Sequence, residues 1–424
     1  LPAPFRRAHS RSLLHHLKSR KLLPDNWIKS MNKIKTNSAR AAITGLGEST
    51  FSRKPGSTPR ALAVEACVAA VADRAADMSI IDGLLLNRSP IEHSSVLPLH
   101  LKRDLCLGDL SLLACIEAEG SSAIQMIQYA SAAIEAGTAN NVLCVFADAP
   151  VGNDGAGASY AVSLDLTGLP GWDECNGLIG ATSGFALSAQ RYFHLYGTNH
   201  RMLYASAAAD REWASLNPKA FLRNPLDENE YFNSRWIVEP LRLFDCAYPV
   251  NGAVAVLVSA AQEAEDGPNP PVYLHAFGQG HSGARNFAGY ELETQTGAEI
   301  AARTLLGGIG ATSTLFDYCE FYNPFSINTI LSLEGYGLCQ PGEAEDLIAS
   351  GATRPGGRLP VNTGGGHLSS YYLQGMTPIH EAVIQARGHG GERQVPTNDV
   401  GLVTGFGGRM EYHSAMTVSA HRQL

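Results

Sequence analysis

Two tyrosines are the candidates for proton-transfer chemistry in this sequence of 424 residues. Tyr322 lies in the run Glu-Phe-Tyr-Asn-Pro-Phe at 320–325, and Tyr372 lies in the run Tyr-Tyr-Leu-Gln-Gly-Met-Thr-Pro at 371–378. A phenol serves as an acid or base near neutral pH only when its pKa of about 10 is lowered. A second phenol, a helix N-terminus or backbone donors can lower it by stabilising the phenolate. The alternative is that both rings, beside other aromatic residues, simply pack in the core.

No residue stands out as a covalent nucleophile. The eight cysteines are scattered and none forms a C-x-x-C pair, so the sequence predicts neither a metal site nor a disulfide framework. Buried free thiols in a reducing cytosol are expected instead. Cys115 lies inside an apolar strand and is expected to be a core thiol. Ser121 and Ser122 lack an evident partner base, so capping of a helix N-terminus is their expected role.

Two glycine-rich turns contain backbone N–H groups that can stabilise a negatively charged oxygen. They cover 364–366 and 405–408, and Gly365, Gly366 and Gly407 are the candidate binding residues. The alternative is that these glycines only supply the positive φ that tight turns require.

Three polar residues complete the set of candidate substrate-binding residues. Asn323 directly follows Tyr322, and His367 follows the first glycine turn. His281, in the run Gly-Gln-Gly-His-Ser-Gly at 278–283, is a further imidazole near the start of the second half of the chain. A structural or rim position is the alternative for His281.

The candidate residues lie between segments that alternate between strand and helix patterns. The predicted strands are 41–47, 80–86, 141–147, 252–260, 272–277, 314–320, 359–363, 400–404 and 415–418. The predicted helices are 58–78, 121–136, 296–306, 325–336 and 376–387. This alternation predicts an α/β fold in which sheets are buried between helices. Between about 150 and 245 the pattern loosens, which predicts a cap or a binding loop.

Composition and charge exclude several classes of protein. The chain is 45% hydrophobic and 17% charged, and it is long enough to bury a large core. A net charge of −8 argues against nucleic-acid binding, which usually requires a basic surface. No apolar stretch reaches the roughly 18 residues that a membrane span requires, so a soluble, cytoplasmic protein is expected.

The N-terminal segment differs from the rest of the chain. Its first 30 residues hold seven basic residues against one acid, Asp25. A disordered extension over residues 1–37, or a translated upstream region, is the expected explanation. A transit peptide is the alternative.

Four spaced segments resemble the thiolase superfamily, in particular the sterol-carrier-type thiolases and their lipid-transfer-protein relatives. The segments are 133–137, 233–246, 334–339 and 359–366, and the resemblance extends over roughly 38–420. It implies a thiolase-like fold of two similar αβα halves, each five-stranded, stacked as αβαβα layers and usually paired in a tight homodimer. The implied halves are 38–266, with the cap at about 150–245, and 267–424.

The resemblance places Gly120 where thiolases carry the nucleophilic Cys, at the N-terminus of a central helix. Tyr322 and Tyr372 fall where thiolases carry two catalytic histidines, and the turn 405–408 lacks the last Cys of the family. Acyl transfer through a covalent intermediate is therefore not expected. Gly120 and Ser121 are expected to line the substrate pocket that remains.

The run 371–378 resembles the lipid-transfer-protein-type aldolases of steroid side-chain breakdown, which also lack the Cys and carry both tyrosines. The resemblance implies retro-aldol cleavage of a β-hydroxyacyl-CoA, with Tyr322 and Tyr372 as the proton-transfer residues. The implied products are a ring ketone and a short acyl-CoA such as propionyl-CoA. No bound cofactor is implied, since coenzyme A enters only as part of the substrate thioester. Aldolases of this type work with an OB-fold and zinc-ribbon partner, so a heterotetramer around a thiolase-like dimer is expected.

Two departures from the family pattern leave other interpretations open. Asn323-Pro324 replaces the usual Asp-Cys, and Asn251-Gly252 replaces the frequent Asp-Gly, so a substrate ring other than a steroid stays open. One alternative function is a non-catalytic thiolase-like subunit of an acyl-CoA complex. A second is a thiolase-like acyltransferase with an unrecognised nucleophile, and a third is a non-enzymatic lipid carrier.

Overall fold

The structure, a computed structural model, describes residues 38–92, 94–153, 168–178, 180–282, 294, 296–408 and 410–424. The predicted extension over residues 1–37 lies outside the described residues, as does the part 154–167 of the predicted cap.

A nine-stranded sheet runs through the described residues. The described residues form eleven strands, nine of them in this sheet. In chain order they are β1 (Ala41–Glu48), β2 (Gly83–Asn87), β3 (Leu112–Cys115), β4 (Asn141–Asp148), β5 (Trp236–Val238), β6 (Leu241–Arg242), β7 (Gly252–Ala260), β8 (Val272–His281), β9 (Tyr318–Glu320), β10 (Val400–Gly407) and β11 (Tyr412–Ser419). Strands β5 and β6 form a separate hairpin, and the order across the large sheet is β3-β2-β4-β7-β1-β8-β11-β10-β9.

The two ends of this sheet repeat one pattern of strand directions. In the first half, β2 pairs in parallel with β3 and β4, whereas β7 is antiparallel to β4 and β1. In the second half, β10 pairs in parallel with β9, and β11 is antiparallel to β10 and β8. The halves meet where β1 and β8 pair through three residue pairs. The predicted fold of two similar halves is thus confirmed.

The second half is one strand short of the prediction. The segment 359–363 forms only a single bridge, between Val361 and Cys319. Pro360 has no N–H to donate to a neighbouring strand, and Asn362 has a φ of +54°, which turns the backbone out of the extended conformation. The chain therefore leaves the sheet here and enters the turn that leads to Tyr372.

Helices cover the faces of both halves. In chain order they are α1 (Pro59–Asp73), α2 (Leu97–Asp104), α3 (Ser122–Glu135), α4 (Gly168–Cys175), α5 (Gly180–Tyr196), α6 (His200–Leu216), α7 (Glu228–Asn233), α8 (Ala298–Ile309), α9 (Ser326–Gly335), α10 (Ala344–Ala349) and α11 (Met376–Ala386). Helices α3 and α11 contact strands of both halves and lie between them, whereas α1 packs on the first half and α8 on the second. This is the predicted αβαβα arrangement. Within the described ranges, no helix combines the length and the apolar character that crossing a membrane requires.

Glycines let each outer helix approach its sheet closely. A Cβ at Gly47 of β1 would lie 2.1 Å from the Ala66 carbonyl oxygen of α1. A Cβ at Gly280 of β8 would lie 2.0 Å from the Gly297 carbonyl oxygen, at the start of α8. No side chain fits at these distances, because protein interiors are close-packed. In both halves, therefore, a glycine on a strand allows the outer helix to pack closely on the sheet.

The predicted cap contains more regular structure than expected. Two 17-residue helices, α5 and α6, occupy much of 180–216, where the sequence pattern had loosened. Helix α6 begins where the Asn199 side chain accepts the Arg201 N–H at 2.9 Å. Its buried face includes Asp210 and Arg211, so charged residues interrupt the apolar periodicity from which a helix is predicted.

Candidate active site

The hydroxyl oxygens of Tyr322 and Tyr372 lie 2.8 Å apart, so the two phenols are hydrogen-bonded. Tyr322 is buried and Tyr372 is partly exposed. The structure thus brings together the two residues on which the sequence prediction depends, although 50 positions separate them along the chain.

Each tyrosine lies in the connection before a helix. Tyr322 follows β9, and its N–H donates to the Thr404 carbonyl of β10 at 3.2 Å. Tyr372 lies between a five-residue π-helical turn, Gly366–Ser370, and the start of α11. Its N–H donates to the Tyr248 carbonyl at 3.0 Å. Backbone bonds to other segments therefore fix the position of both tyrosines.

Aromatic rings pack around the pair. Tyr322 contacts Phe406 edge-on, with ring centroids 4.7 Å apart, and His367 edge-on at 4.8 Å. His367 also contacts Tyr372, with centroids 5.4 Å apart. The Tyr322 ring does pack in the core, as the alternative supposed, while its hydroxyl bonds to a second phenol.

Gly120 lies directly against the ring of Tyr322. A Cβ at this position would lie 2.2 Å from Tyr322 Cζ and 2.6 Å from the Phe406 carbonyl oxygen. Real Cβ atoms do not approach other atoms so closely, so the position at which a nucleophile was sought has no room for a side chain. The phenol of Tyr322 occupies that space, beside the turn that leads into α3.

Glycines from three further positions pack on this turn. A Cβ at Gly375 would lie 2.4 Å from the Gly120 carbonyl oxygen, and one at Gly405 would lie 2.6 Å from the same atom. A Cβ at Gly407 would lie 2.3 Å from the Ala118 carbonyl oxygen. Gly407, a candidate for substrate binding, thus permits close backbone packing between β10 and the turn.

The two serines at the start of α3 make structural hydrogen bonds. The Ser121 hydroxyl bonds to the Ser414 hydroxyl of β11 at 2.9 Å and accepts from the Gln125 side chain at 2.9 Å. The Ser122 hydroxyl accepts the Ala118 N–H at 2.6 Å. The expected capping role is wrong for Ser121, whose side chain makes no cap bond. Ser121 instead joins α3 to β11.

The glycine turns do not offer all the backbone donors that were expected of them. The Gly365 N–H donates to the Asn362 carbonyl at 2.7 Å, and the Gly408 N–H donates to the Glu119 carboxylate at 2.7 Å. Gly365 and Gly366 have φ values of +96° and +54°. These two glycines therefore supply the positive φ of a tight turn, which was the alternative.

Asn323 belongs to a buried polar network. Its Nδ2 donates to the Asp210 carboxyl at 2.7 Å and to the Thr329 hydroxyl at 3.1 Å, and its Oδ1 accepts the His367 N–H at 2.9 Å. Burial raises the pKa of Asp210 to about 7, although hydrogen bonds from Asn323 and Asn362 lower it. Both polar atoms of the Asn323 side chain are thus bonded within the protein.

His367 is fully buried, and both of its ring nitrogens are hydrogen-bonded. Nδ1 accepts the Asn323 N–H at 3.1 Å, and Nε2 lies 2.8 Å from the Gln374 carbonyl oxygen, to which it donates. Burial lowers the pKa of His367 to about 4. The imidazole is therefore neutral at pH 7, with its proton on Nε2.

His281 lies apart from this cluster. It is exposed at the end of β8, where Nε2 bonds to the Gln279 side chain at 2.9 Å. Its ring contacts Tyr412 of β11, with centroids 5.5 Å apart. The structure therefore places His281 at the exposed end of a strand, against Gln279 and Tyr412.

Two acidic residues near Tyr372 were missed by the sequence analysis. Burial raises the pKa of Tyr372, the hydrogen bond from Tyr322 lowers it, and the charges of Asp148 and Glu119 raise it. Asp148 is buried at the end of β4, where its Oδ1 accepts from the Ser89 hydroxyl at 2.6 Å. An acid at the end of an apolar strand was the available signal. Tyr372 therefore keeps its proton at neutral pH.

Cys115 is a half-buried thiol at the end of β3. Burial and the neighbouring Glu117 raise its pKa to about 12, and Sγ donates to the Glu117 carboxylate at 2.9 Å. The thiolate is the nucleophilic form of cysteine, so this thiol is inert at neutral pH.

The arrangement as a whole suits proton transfer without a covalent intermediate. Two phenols share a hydrogen bond, one beside the N-terminus of a helix and the other near two acids. In the part of the chain that the structure describes, no group of His, Cys, Asp and Glu side chains is placed to bind a metal ion. Paired acid–base groups of this kind can take a proton from one atom of a substrate and return it to another.

Comparison with known proteins places the chain among thiolase relatives. Residues 278–420 match the family described as "Thiolase C-terminal domain-like". The chain is 34% identical over 364 residues to the 17-hydroxy-3-oxo-4-pregnene-20-carboxyl-CoA lyase of Mycobacterium tuberculosis, covering 83% of this chain and 92% of that protein. It is 33% identical over 368 residues to the steroid side-chain-cleaving aldolase of Thermomonospora curvata, covering 82% and 90%.

Solved structures agree with these relatives. The structure described as "Ltp2-ChsH2(DUF35) aldolase" superposes with a TM-score of 0.81 at 31% identity, over 92% of this chain and 100% of that chain. A monomeric SCP2-thiolase-like protein of Mycobacterium smegmatis gives a TM-score of 0.71 at 20% identity, over 92% of this chain and 78% of that chain. The second likeness shows the fold alone.

Proposed function

Because the chain belongs to the aldolases of the thiolase superfamily, we propose that it is a carbon–carbon lyase that cleaves a β-hydroxyacyl-CoA by a retro-aldol reaction. One relative is named as the lyase of a 17-hydroxy steroid carboxyl-CoA, and another as a steroid side-chain-cleaving aldolase. The substrate is accordingly a steroid-type β-hydroxyacyl-CoA, and the products are a ring ketone and a short acyl-CoA such as propionyl-CoA. Coenzyme A takes part only as the thioester of the substrate, without a bound cofactor.

The 2.8 Å hydrogen bond between Tyr322 and Tyr372 is the observation that carries this proposal. Retro-aldol cleavage removes a proton from the β-hydroxyl and returns a proton to the α-carbon, so it needs an acid and a base close together. It needs no nucleophile. The lack of space at Gly120 and the protonated thiol of Cys115 agree with that requirement.

The proposed proton transfers balance across the pair. The β-hydroxyl proton passes to the Tyr322 oxygen as the bond between the β-carbon and the α-carbon breaks, and the electron pair of that bond enters the thioester enolate. The original Tyr322 proton passes to Tyr372, and the original Tyr372 proton passes to the α-carbon. Tyr372 starts with its proton in this scheme, so its raised pKa is compatible with this role.

The surroundings of the two phenols support this direction of transfer. The hydroxyl end of Tyr322 lies beside the N-terminus of α3, and the backbone N–H groups and dipole of a helix N-terminus stabilise negative charge. Tyr372 lies near Asp148 and Glu119, whose charges favour the protonated phenol. Tyr322 is therefore the proton acceptor and Tyr372 the proton donor.

The protein is also proposed to work in an assembly. Strand β3 is an outer edge of the sheet in the described part of the chain, and Leu113, Ala114 and Cys115 in it are only half-buried. An uncovered edge strand is a ready partner for a second chain, which supports a homodimer. The neighbour described as "Ltp2-ChsH2(DUF35) aldolase" has a second protein in its name. This supports a partner, proposed to be of the OB-fold and zinc-ribbon type, in a heterotetramer.

The proposed location is the cytoplasm. All eight cysteines are free thiols. Free thiols persist in reducing compartments, whereas secreted proteins usually oxidise theirs to disulfides.

Purified protein, alone and with such a partner, tests the proposal with 17-hydroxy-3-oxo-4-pregnene-20-carboxyl-CoA as the substrate. Mass spectrometry is expected to detect the C17 ketone and propionyl-CoA in equal amounts. A double variant, Tyr322→Phe with Tyr372→Phe, should bind the CoA ester without cleaving it. An acyl adduct on the protein, or the absence of products when the partner is present, would contradict the proposal.

A further inference from the structure

The contacts of His367 indicate a role other than substrate binding. Its ring contacts both phenol rings, with centroids 4.8 Å from Tyr322 and 5.4 Å from Tyr372. Its side chain is fully buried, whereas Tyr372 is partly exposed. The imidazole is therefore less accessible from solvent than Tyr372 is.

One ring nitrogen of His367 holds the segment that carries Tyr322. Nδ1 lies 3.1 Å from the Asn323 N–H nitrogen and 3.1 Å from Asn323 Oδ1. A backbone N–H can only donate, so Nδ1 presents its lone pair to that group. The backbone N–H of His367 donates in turn to Asn323 Oδ1 at 2.9 Å. Asn323 follows Tyr322 directly, so these bonds fix the base of the Tyr322 side chain relative to His367.

The other ring nitrogen holds the segment that carries Tyr372. With Nδ1 unprotonated, Nε2 carries the proton and donates to the Gln374 carbonyl at 2.8 Å. Gln374 has a φ of +46°, a left-handed conformation that costs energy for a residue with a side chain and needs support from its surroundings. The His367 carbonyl also accepts the Tyr248 N–H at 2.8 Å, and the Tyr248 carbonyl accepts the Tyr372 N–H at 3.0 Å. His367 thus reaches the Tyr372 segment through two routes.

We propose that His367 is a positioning residue, a neutral imidazole that clamps 322–323 to 372–374 and so holds the two phenol oxygens within hydrogen-bond distance. The inference rests on the proposed function, in which protons cross that distance. His367 exchanges no proton with the substrate, because both ring nitrogens are bonded to the backbone. A misplacement of about 1 Å between reacting groups can lower a rate about 100-fold, so loss of the clamp has a direct effect on turnover.

Two variants remove the two ring hydrogen bonds of His367 separately. His367→Asn keeps an acceptor near the position of Nδ1 and loses the donor to Gln374, whereas His367→Gln keeps a donor near the position of Nε2 and loses the acceptor for Asn323. Each is expected to lower kcat by roughly 100-fold with little change in KM, as for an interaction used in the transition state. His389→Gln, at an exposed histidine outside the candidate site, is the matched control and should retain full activity.

The pH profile separates a clamp from a catalytic base. If His367 were the base, its replacement would remove a limb from the dependence of kcat/KM on pH. A clamp lowers the whole profile and leaves its shape unchanged. A variant that keeps wild-type kcat, or one that loses a limb of the profile, would overturn the inference.

Histidine NMR of the free wild-type protein tests the same inference without any substrate. The His367 ring is expected to remain neutral, with the proton on Nε2, from pH 5 to 8. A proton on Nδ1, or titration of His367 within this range, would overturn the clamp. If the wild type cleaves no CoA ester, the proposed function fails, while the NMR result still decides the state of His367.

Discussion

The ring of Tyr322 occupies the space that a side chain at Gly120 would need, with Tyr322 Cζ only 2.2 Å from the position of a Cβ. A nucleophile on residue 120 and a phenol on residue 322 therefore exclude each other sterically. The residue types at positions 120 and 322 are therefore expected to be energetically coupled.

Gly120→Ala is expected to lower the free energy of unfolding by about 1–3 kcal/mol, because the added methyl group overpacks the site. It should also abolish most of the cleavage activity, because the Tyr322 ring must move. Urea unfolding and steady-state kinetics measure the two effects. Gly307→Ala in α8 is the matched control, since nothing lies within 4 Å of its Cβ position, and it should leave stability unchanged or raised.

A double variant tests whether the two residues are coupled. In a Tyr322→Ala background the ring is gone, so Gly120→Ala should cost less stability than it does in the wild type. Some cost should remain, because the Phe406 carbonyl oxygen would still lie 2.6 Å from the new Cβ. Strictly additive effects of the two substitutions would count against the coupling.

Both phenol hydroxyls are expected to be necessary for cleavage. Tyr322→Phe and Tyr372→Phe each interrupt the relay and should lower kcat by about 10²–10⁴-fold, the usual range for one acid–base group. KM for the CoA ester should change little, because each ring keeps its volume. Tyr129→Phe, at an exposed tyrosine of α3, is the control for the loss of a phenol. Full turnover in either active-site variant would rule out the relay.

The charge of Asp148 is expected to influence the alkaline limit of activity. Asp148 raises the pKa of Tyr372, and the relay requires Tyr372 in its protonated form. Asp148→Asn removes the negative charge, so Tyr372 should ionise at lower pH and the alkaline fall of kcat/KM should move to lower pH. Rate measurements carried to the highest pH at which the wild type stays folded give the result, and Asp104→Asn, at a surface acid, is the control. An unchanged or upward-shifted limb would disagree with the assigned effect of Asp148.

The buried Asp210 carboxyl is expected to make stability fall as pH rises. Its pKa is raised to about 7 in the folded protein, against about 3.9 for an unperturbed Asp. Between these values the folded chain holds a proton that the unfolded chain has released, so this contribution to stability is fully present below about pH 4 and is lost as pH rises through about 7. From pH 5 to 8 the loss amounts to roughly 2–3 kcal/mol.

Asp210→Asn is the test of this pH dependence. The variant cannot ionise, so its free energy of unfolding should improve relative to the wild type by roughly 2–3 kcal/mol from pH 5 to pH 8. A constant penalty is expected at every pH, because the new amide cannot accept from both Asn323 and Asn362. Urea unfolding at four pH values measures the difference, with the exposed Asp266→Asn as the control. A difference that stays flat with pH would show that Asp210 does not hold a proton in the folded state.

Much of the fold could be predicted from the sequence, because it depends on local patterns. The buried strand at 252–260 was predicted with its observed bounds, and helix 121–136 differs from α3 by one residue at each end. The prediction of a strand at 359–363 was wrong, because Pro360 and Asn362, which has a positive φ, interrupt an otherwise suitable run. Helix α6 was missed, because its buried face carries Asp210 and Arg211.

The same distinction applies to the candidate site: local sequence motifs could be recognised, whereas contacts between distant segments could not. Tyr322 and Tyr372 could be selected from the runs around them and Gly120 from its spacing to 136–137, and the structure brings the three residues together. The partners of Asn323 and of the Gly365 N–H could not be predicted, since they come from segments that only the folded chain brings together. His367, a substrate-binding candidate in the sequence, lies against both tyrosines, but its bonds on both ring nitrogens, and hence its neutral state, depend on the fold.

The hydrogen bond from Asn323 to Asp210 predicts which pairs of residues related chains can carry at these two positions. An aspartate at position 323, as in Asp-Cys variants of this motif, would place two buried carboxyl groups about 2.7 Å apart, a distance taken from the present bond. Two such groups cannot both ionise, so they must share a proton or one must be replaced. Positions 210 and 323 are therefore expected to vary together among related chains, so that an aspartate at 323 is accompanied by a residue other than an ionised carboxylate at 210.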